Sequence, residues 1–163
     1  MNRAKLKETS SVPDVISNTS CLIALDHIGR LSLLKDVYGK ILITKEVAEE
    51  FGHALPGDWI KVVEVDNAEY CRILSLFVDR GEASTIALAI ERTGSLTILD
   101  DGKARKLADS LDVNYTGLLG VVLKTKKMGI VDSVSAILQE LTSAGFRMGK
   151  NVEQEVLRLA GEE

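Results

Sequence analysis

Short runs of β-branched and aliphatic residues alternate along this chain with longer stretches whose apolar positions recur every three or four residues. The runs predict short strands buried on both faces; the recurring stretches predict helices with one face on a core. Residues 14–18 read as a first strand, with Thr19 and Ser20 placed to cap a helix over 21–28 that Gly29 ends. An amphipathic helix over 30–38 stops at Gly39, a second strand covers 40–43, and Thr44 caps a short helix reaching Phe51. Pro56 and Gly57 mark a loop over 53–58, and 59–65 alternates as an edge strand. Helices follow over 67–78 and from Asp79 to about Arg92, the latter apolar on nearly every face and so buried among other elements. After Gly94 come a strand over 96–99, a helix over 103–111, a strand over 113–116 and a helix from Gly117 to about Lys127. Residues 128–131 connect to a helix over 133–144, capped by Asp132 and ended by Gly145. Asn151 caps a last helix over 152–160.

Strands alternating with helices predict an α/β fold, a mostly parallel sheet with helices on both faces. It occupies residues 14–163 as one domain, and the 163-residue chain is long enough for a sizeable core. Residues 1–13 are polar, end at Pro13 and read as a loose leader.

Composition narrows the function classes. Aromatic residues make up only 4%, which leaves the core to aliphatic side chains and little for a base-stacking platform. The net charge of −4 means that any grip on nucleic acid comes from local basic patches. Cys21 and Cys71 lie in apolar or helical patterns and read as small hydrophobes in a reducing compartment. His27 and His53 have no ligand spacing to cysteine, so a zinc site is not expected. No apolar run is long enough to span a membrane, and no apolar signal core follows Met1, so the expected location is cytoplasmic.

The candidate chemistry is acidic. Strand 96–99 ends in two adjacent carboxylates, Asp100 and Asp101. In an open α/β sheet, ligands gather outside the carboxyl ends of the strands, and paired carboxylates suit a hard cation such as Mg²⁺ or Mn²⁺. Asn18 stands at the end of the first strand, Glu82 begins the buried helix, and Glu50 lies beside the apolar face made by Val47 and Phe51. Each also has a purely structural reading. An Asp at a strand–helix junction is a common cap, Asp79 with Glu82 fits a capping box, Glu50 can be a solvated acid, and Asn18 a turn residue. Lys103, Arg105 and Lys106 follow the Asp pair and can hold a phosphate backbone; Lys124, Lys126 and Lys127 read as cations favoured at a helix C-terminus.

A series of segments then carries a family resemblance. They are Val15-Ile16-Ser17-Asn18-Thr19-Ser20 followed by Leu22-Ile23-Ala24-Leu25, Val47-Ala48-Glu49-Glu50-Phe51, and Gly81-Glu82-Ala83 with Ile86-Ala87-Leu88-Ala89. Asp100-Asp101-Gly102-Lys103-Ala104-Arg105 with Leu107-Ala108, and Thr116-Gly117-Leu118-Leu119-Gly120-Val121, complete the series. In this order and spacing they resemble a PIN domain from about Asp14 onward, closest to a prokaryotic subgroup of VapC-type toxins.

The resemblance implies a three-layer sandwich around a central parallel sheet, and a metal-dependent endoribonuclease that hydrolyses RNA phosphodiesters with Mg²⁺ or Mn²⁺. It implies Glu50, Glu82 and Asp101 as the second, third and fourth acidic positions and as the catalytic residues. Glu82, Asp100, Asp101 and Asn18 are the implied metal ligands, and Ser20 the hydroxyl supporting the first position. It also implies a small antitoxin as partner and a homodimer. One position departs from the family: Asn18 stands where an Asp is usual. An amide oxygen ligates a hard cation without a full charge, so weaker metal affinity is expected. Asp14 is no substitute, because four residues along a strand carry it away from the edge. Asn18 therefore motivates a competing reading, a non-catalytic PIN-like module that binds RNA or protein. A phosphoacceptor receiver domain ranks last, because Asn18 and Glu50 do not supply its acidic arrangement.

Overall fold

Val15 and Ile16 project to opposite sides of one sheet, and two separate cores form against them. The computed structural model describes residues 12–163. Its strands are β1 (Val15–Ser17), β2 (Ile41–Thr44), β3 (Ile60–Val63), β4 (Leu96–Ile98) and β5 (Asn114–Thr116). All neighbouring pairs are parallel, in the order β3-β2-β1-β4-β5. The helices among the described residues are α1 (Thr19–His27), α2 (Ser32–Tyr38), α3 (Lys45–Phe51), α4 (Ala68–Leu74), α5 (Arg80–Glu91), α6 (Gly102–Ser110), α7 (Leu118–Lys127), α8 (Val134–Ser143) and α9 (Lys150–Ala160).

Alternate strand residues feed the two cores, as the period of two requires. Val15, Ile41, Ile43 and Ile98 pack with residues of α1, α2, α7 and α8. Ile16 and Leu42 pack with α5, with Leu99, and with Ala104 and Ala108 of α6. Each fully buried Leu or Ile here contributes roughly 1.5–3 kcal/mol. Three layers result, as expected. The two edge strands are the exceptions to two-sided burial: Lys61 and Val62 of β3 and Asn114 of β5 are exposed.

The chain runs from β1 outward through β2 to β3, then returns to place β4 on the other side of β1. Neighbouring connections thus diverge between β1 and β4. Their carboxyl ends form the topological switch point, where a crevice opens in sheets of this kind. Asn18 follows one strand and the Asp100–Asp101 pair the other; Ser17 is in register with Ile98, and the Asn18 amide donates to the Ile98 carbonyl at 3.1 Å.

Several boundaries differ from the sequence expectation. The helix expected over 67–78 ends at Leu74, because Leu76 and Phe77 face solvent and offer it no buried stripe. Thr19 lies inside α1 and Asn18 takes the cap position. Ser133, not Asp132, caps α8 by accepting from the Ala136 amide at 3.1 Å. Asn151 lies inside α9, which Gly149 precedes. Residues 1–11 of the expected leader lie outside the described residues, and Val12 and Pro13 are exposed. Cys21 and Cys71 are free, with Cys21 buried. Among the described residues no helix is long and apolar enough to cross a membrane.

Candidate active site

Three elements bring acids to the switch point, and a fourth brings an amide. The first is the start of α5. Asp79 and Glu82 form a reciprocal capping box: the Glu82 amide donates to Asp79 Oδ1 at 2.8 Å, and the Asp79 amide donates to Glu82 Oε2 at 3.1 Å. The structural reading of Glu82 is therefore correct, yet it does not exhaust this residue. Glu82 is buried, and burial is the main cause that pushes its carboxyl up to about 7. The Asp79 amide pulls the other way, and the nearby charges of Asp79, Asp101 and Glu50 add to the rise. A free carboxylate at this spot is disfavoured by its own neighbours, which a cation would reverse.

Glu50 reaches the same place from α3. Its Oε2 accepts a hydrogen bond from the Thr19 hydroxyl at 2.8 Å. Its carboxylate lies against the backbone of Gly81, where a Cβ would fall 2.5 Å from Oε1. Glycine at 81 is what lets the acid approach α5 so closely. Thr19 is a residue that sequence reasoning took only for a cap; Ser20, expected to be the supporting hydroxyl, is exposed on the first turn of α1.

The Asp100–Asp101 pair divides its work. Asp101 is the N-cap of α6, its Oδ2 accepting from the Ala104 amide at 3.0 Å, and its charge acts on Glu82. Asp100 turns elsewhere. Its Oδ1 accepts from the Leu118 amide at 3.0 Å and lies 3.7 Å from Arg105 Nη2. Burial raises the Asp100 carboxyl, while the Leu118 amide and the Arg105 charge oppose that rise. A Cβ at Gly117 would stand 2.6 Å from Asp100 Oδ1 and collide with the Arg105 guanidinium. Asp100 thus ties the end of β4 to the start of α7.

Asn18 supplies the last group. It is 5% exposed, makes no side-chain cap bond, and its Oδ1 is buried with no hydrogen-bond partner among the described residues. A buried polar atom left alone costs about 1–3 kcal/mol, so a partner is called for at this atom.

The basic residues are more committed than their sequence pattern shows. Arg105 donates from Nε to the Leu99 carbonyl at 2.8 Å and stacks 5.3 Å from the centre of the Tyr115 ring. Lys103 and Lys106 are exposed. Lys124 sits over the Tyr38 ring, and Lys126 binds Glu162 at 3.1 Å, so both serve the fold.

Fold and site together define an α/β protein whose acids gather at the carboxyl edge of a parallel sheet. The family model DUF3368, described as a PIN domain, matches residues 14–162. The chain belongs to this PIN-domain family, which points to a nuclease acting on nucleic acid, and PIN domains generally use divalent metal ions. No curated protein and no solved structure matches the chain.

The donors fit such an ion in kind. All are oxygens, and Glu50, Glu82 and Asp101 each keep one carboxylate oxygen outside the hydrogen bonds just described. They do not form a closed cage: among the described residues no three His, Cys, Asp or Glu side chains are already grouped to hold one ion. Asn18 Oδ1, buried and unpartnered just after β1, is a further, neutral oxygen.

Proposed function

We propose that this protein is a metal-dependent endoribonuclease that hydrolyses RNA phosphodiesters, of the VapC-like toxin kind. The observation that carries the reading is Glu82, buried beside Asp101 and Glu50 and pushed up to about 7. Glu82, Asp101 and Asn18 would hold Mg²⁺ or Mn²⁺, with Glu50 completing the acidic site. When bound, the ion lowers the pKa of a water and offsets charge on the phosphate. The residues of the chain do the rest. Thr19 holds Glu50 in position, the capping box fixes Glu82, and the α6 cap orients Asp101. Asp100 positions the strand–helix junction through Oδ1, and its Oδ2 remains free to join the ligands. Lys103 and Lys106 remain available to the RNA backbone, and a small antitoxin and a second copy of the chain are the partners this reading carries with it.

The test is incubation of single-stranded RNA with Mn²⁺ and the wild-type, Glu82→Gln and Asp101→Asn proteins. Cleavage by the wild type alone supports the reading. Equal cleavage by all three, or none by any, removes it.

Asn18 favours a second reading, a PIN-like module that binds RNA or protein without cutting. The neutral amide and the open arrangement of the acids both weaken metal affinity. RNA binding without cleavage, unchanged by Mn²⁺, would identify it.

A further inference from the structure

Arg105 is held in one orientation at the edge of the acidic site. It lies one turn after Asp101 in α6, and its Nε donates back to the Leu99 carbonyl at 2.8 Å, at the end of β4. One face of the guanidinium rests on the Tyr115 ring, 5.3 Å from its centre, and the Tyr115 hydroxyl is tied to Asp109 at 3.2 Å. Gly117 leaves room for Nη2, which a Cβ there would strike. A long side chain gives up rotamer freedom when it grips a ligand; here the fold has already removed much of it. Yet the side chain is 38% exposed, and neither Nη1 nor Nη2 makes a hydrogen bond among the described residues. A planar fork of donors is thus fixed in place and left free.

The neighbour of the fork narrows what it takes. Asp100 Oδ1 lies 3.7 Å from Nη2, so the arginine charge is already answered. A phosphate brought to the fork would meet that carboxylate as a like charge, whereas the edge of a base brings neutral acceptors. Lys103 and Lys106, exposed on the same helix, suit the phosphates better. Guanine carries O6 and N7 as adjacent acceptors, which an arginine fork meets with two hydrogen bonds. Adenine sets an amino donor beside N7, and uracil a ring N–H between its carbonyls. In single-stranded RNA these edges are open to side chains. A chain with only 4% aromatic residues has little with which to stack bases, so an edge-reading arginine is its way to tell them apart.

We propose that Arg105 reads a guanine beside the cleaved phosphodiester, through O6 and N7, and so sets base preference rather than backbone grip. The placement beside the cleaved bond rests on the nuclease reading; the guanine contact itself needs only that the protein binds RNA.

The test is fluorescence polarisation of labelled oligouridine RNAs about eight nucleotides long, a usual single-strand site, each with one central substitution. Binding to the wild type is measured in EDTA, which withholds the metal for cleavage. All probes have the same length and charge, so the backbone contributes equally. Guanine is expected to bind about tenfold tighter than adenine, cytosine or uracil, the scale of one bidentate pair. Hypoxanthine keeps O6 and N7 and should match guanine; 7-deazaguanine lacks the N7 acceptor and should bind like adenine. Arg105→Lys keeps the charge without the fork and should bind every probe alike, at the level of the uridine probe. Lys103→Gln should weaken all probes by one factor and keep the preference. Equal affinity for all four bases, a preference for cytosine, whose O2 and N3 also adjoin, or no binding of the guanine probe overturns the proposal. So does 7-deazaguanine that matches guanine, and these outcomes need no variant. Uniform weakening in Arg105→Lys with the preference intact would assign the fork to a phosphate, which also overturns it. Cleavage with Mn²⁺ is read separately. Cutting without regard to base keeps the proposed function and removes the guanine contact; guanine-selective binding without cutting does the reverse.

Discussion

The Thr19 hydroxyl donates to Glu50 Oε2 at 2.8 Å and joins α1 to α3 across the carboxyl edge of the sheet. Thr19 is buried whereas Glu50 is largely exposed, so the bond gains less than one inside the core. Replacing Thr19 by Val keeps the shape and removes the donor. We expect about 1 kcal/mol of lost stability in urea denaturation and weaker Mn²⁺ binding as Glu50 swings free. Unchanged metal affinity would show that Thr19 does not position this acid.

Gly81 and Glu50 form a second such pair. Adding a methyl group at 81 places it 2.5 Å from Glu50 Oε1, but the carboxylate is the far end of a flexible side chain and can move. The gain in helix propensity from Gly to Ala, up to about 1 kcal/mol, offsets part of the strain. Gly81→Ala is therefore expected to melt close to the wild type while binding Mn²⁺ as weakly as Glu50→Gln. Combining the two changes should add no further loss of affinity, since both act on one group. Additive losses would contradict this.

Protonation gives Glu82 a measurable signature. Its folded carboxyl titrates near 7, above its ordinary value, so its ionisation opposes folding. Stability of the metal-free protein should fall as pH rises from about 4.5 toward 7, relative to Glu82→Gln. Mn²⁺ should bind more tightly as pH rises through the same window, because the bound form needs the proton gone. Melting temperatures of the two proteins that run parallel across this range would refute the assignment.

Glu162 has the opposite sign. Its carboxylate accepts from the Val134 and Ser135 amides at 2.6 and 2.9 Å and pairs with Lys126, which lowers it to about 2. A depressed carboxyl stabilises the fold above its unfolded value, and that contribution fades as pH falls toward the folded one. Glu162→Gln should lower the melting temperature at pH 7 and approach the wild type near pH 2. A constant difference across this range would mean that Glu162 acts by shape alone.

The central strands could be read because they are buried on both faces: Ile41-Leu42-Ile43 has no polar alternative. Helix caps were harder. Asp132 and Ser133 are adjacent and both can cap, so the choice depends on backbone angles that local sequence does not encode. Leu76 and Phe77 extended the apolar pattern of α4, but a pattern does not tell a core from an exposed face. At the site, Glu82 was read from a helix start, Asp101 from a strand end, and Glu50 from its place beside the apolar face of Val47 and Phe51. The separate fates of Asp100 and Asp101 did not. They depend on Leu118 and Gly117, brought to the edge of β4 by a later strand, and on the guanidinium of Arg105. The role of Thr19 was hidden for a similar reason, since its partner lies 31 residues away.

Calorimetric titration of Mn²⁺ into the wild-type, Asn18→Asp, Glu82→Gln and Asp101→Asn proteins bears on whether the acids at the switch point and the lone Asn18 oxygen form one ion site. The expected result is binding by the wild type, loss in Glu82→Gln and Asp101→Asn, and tighter binding in Asn18→Asp as the missing charge is supplied. No binding by any of the four, or affinity indifferent to all three changes, would contradict it.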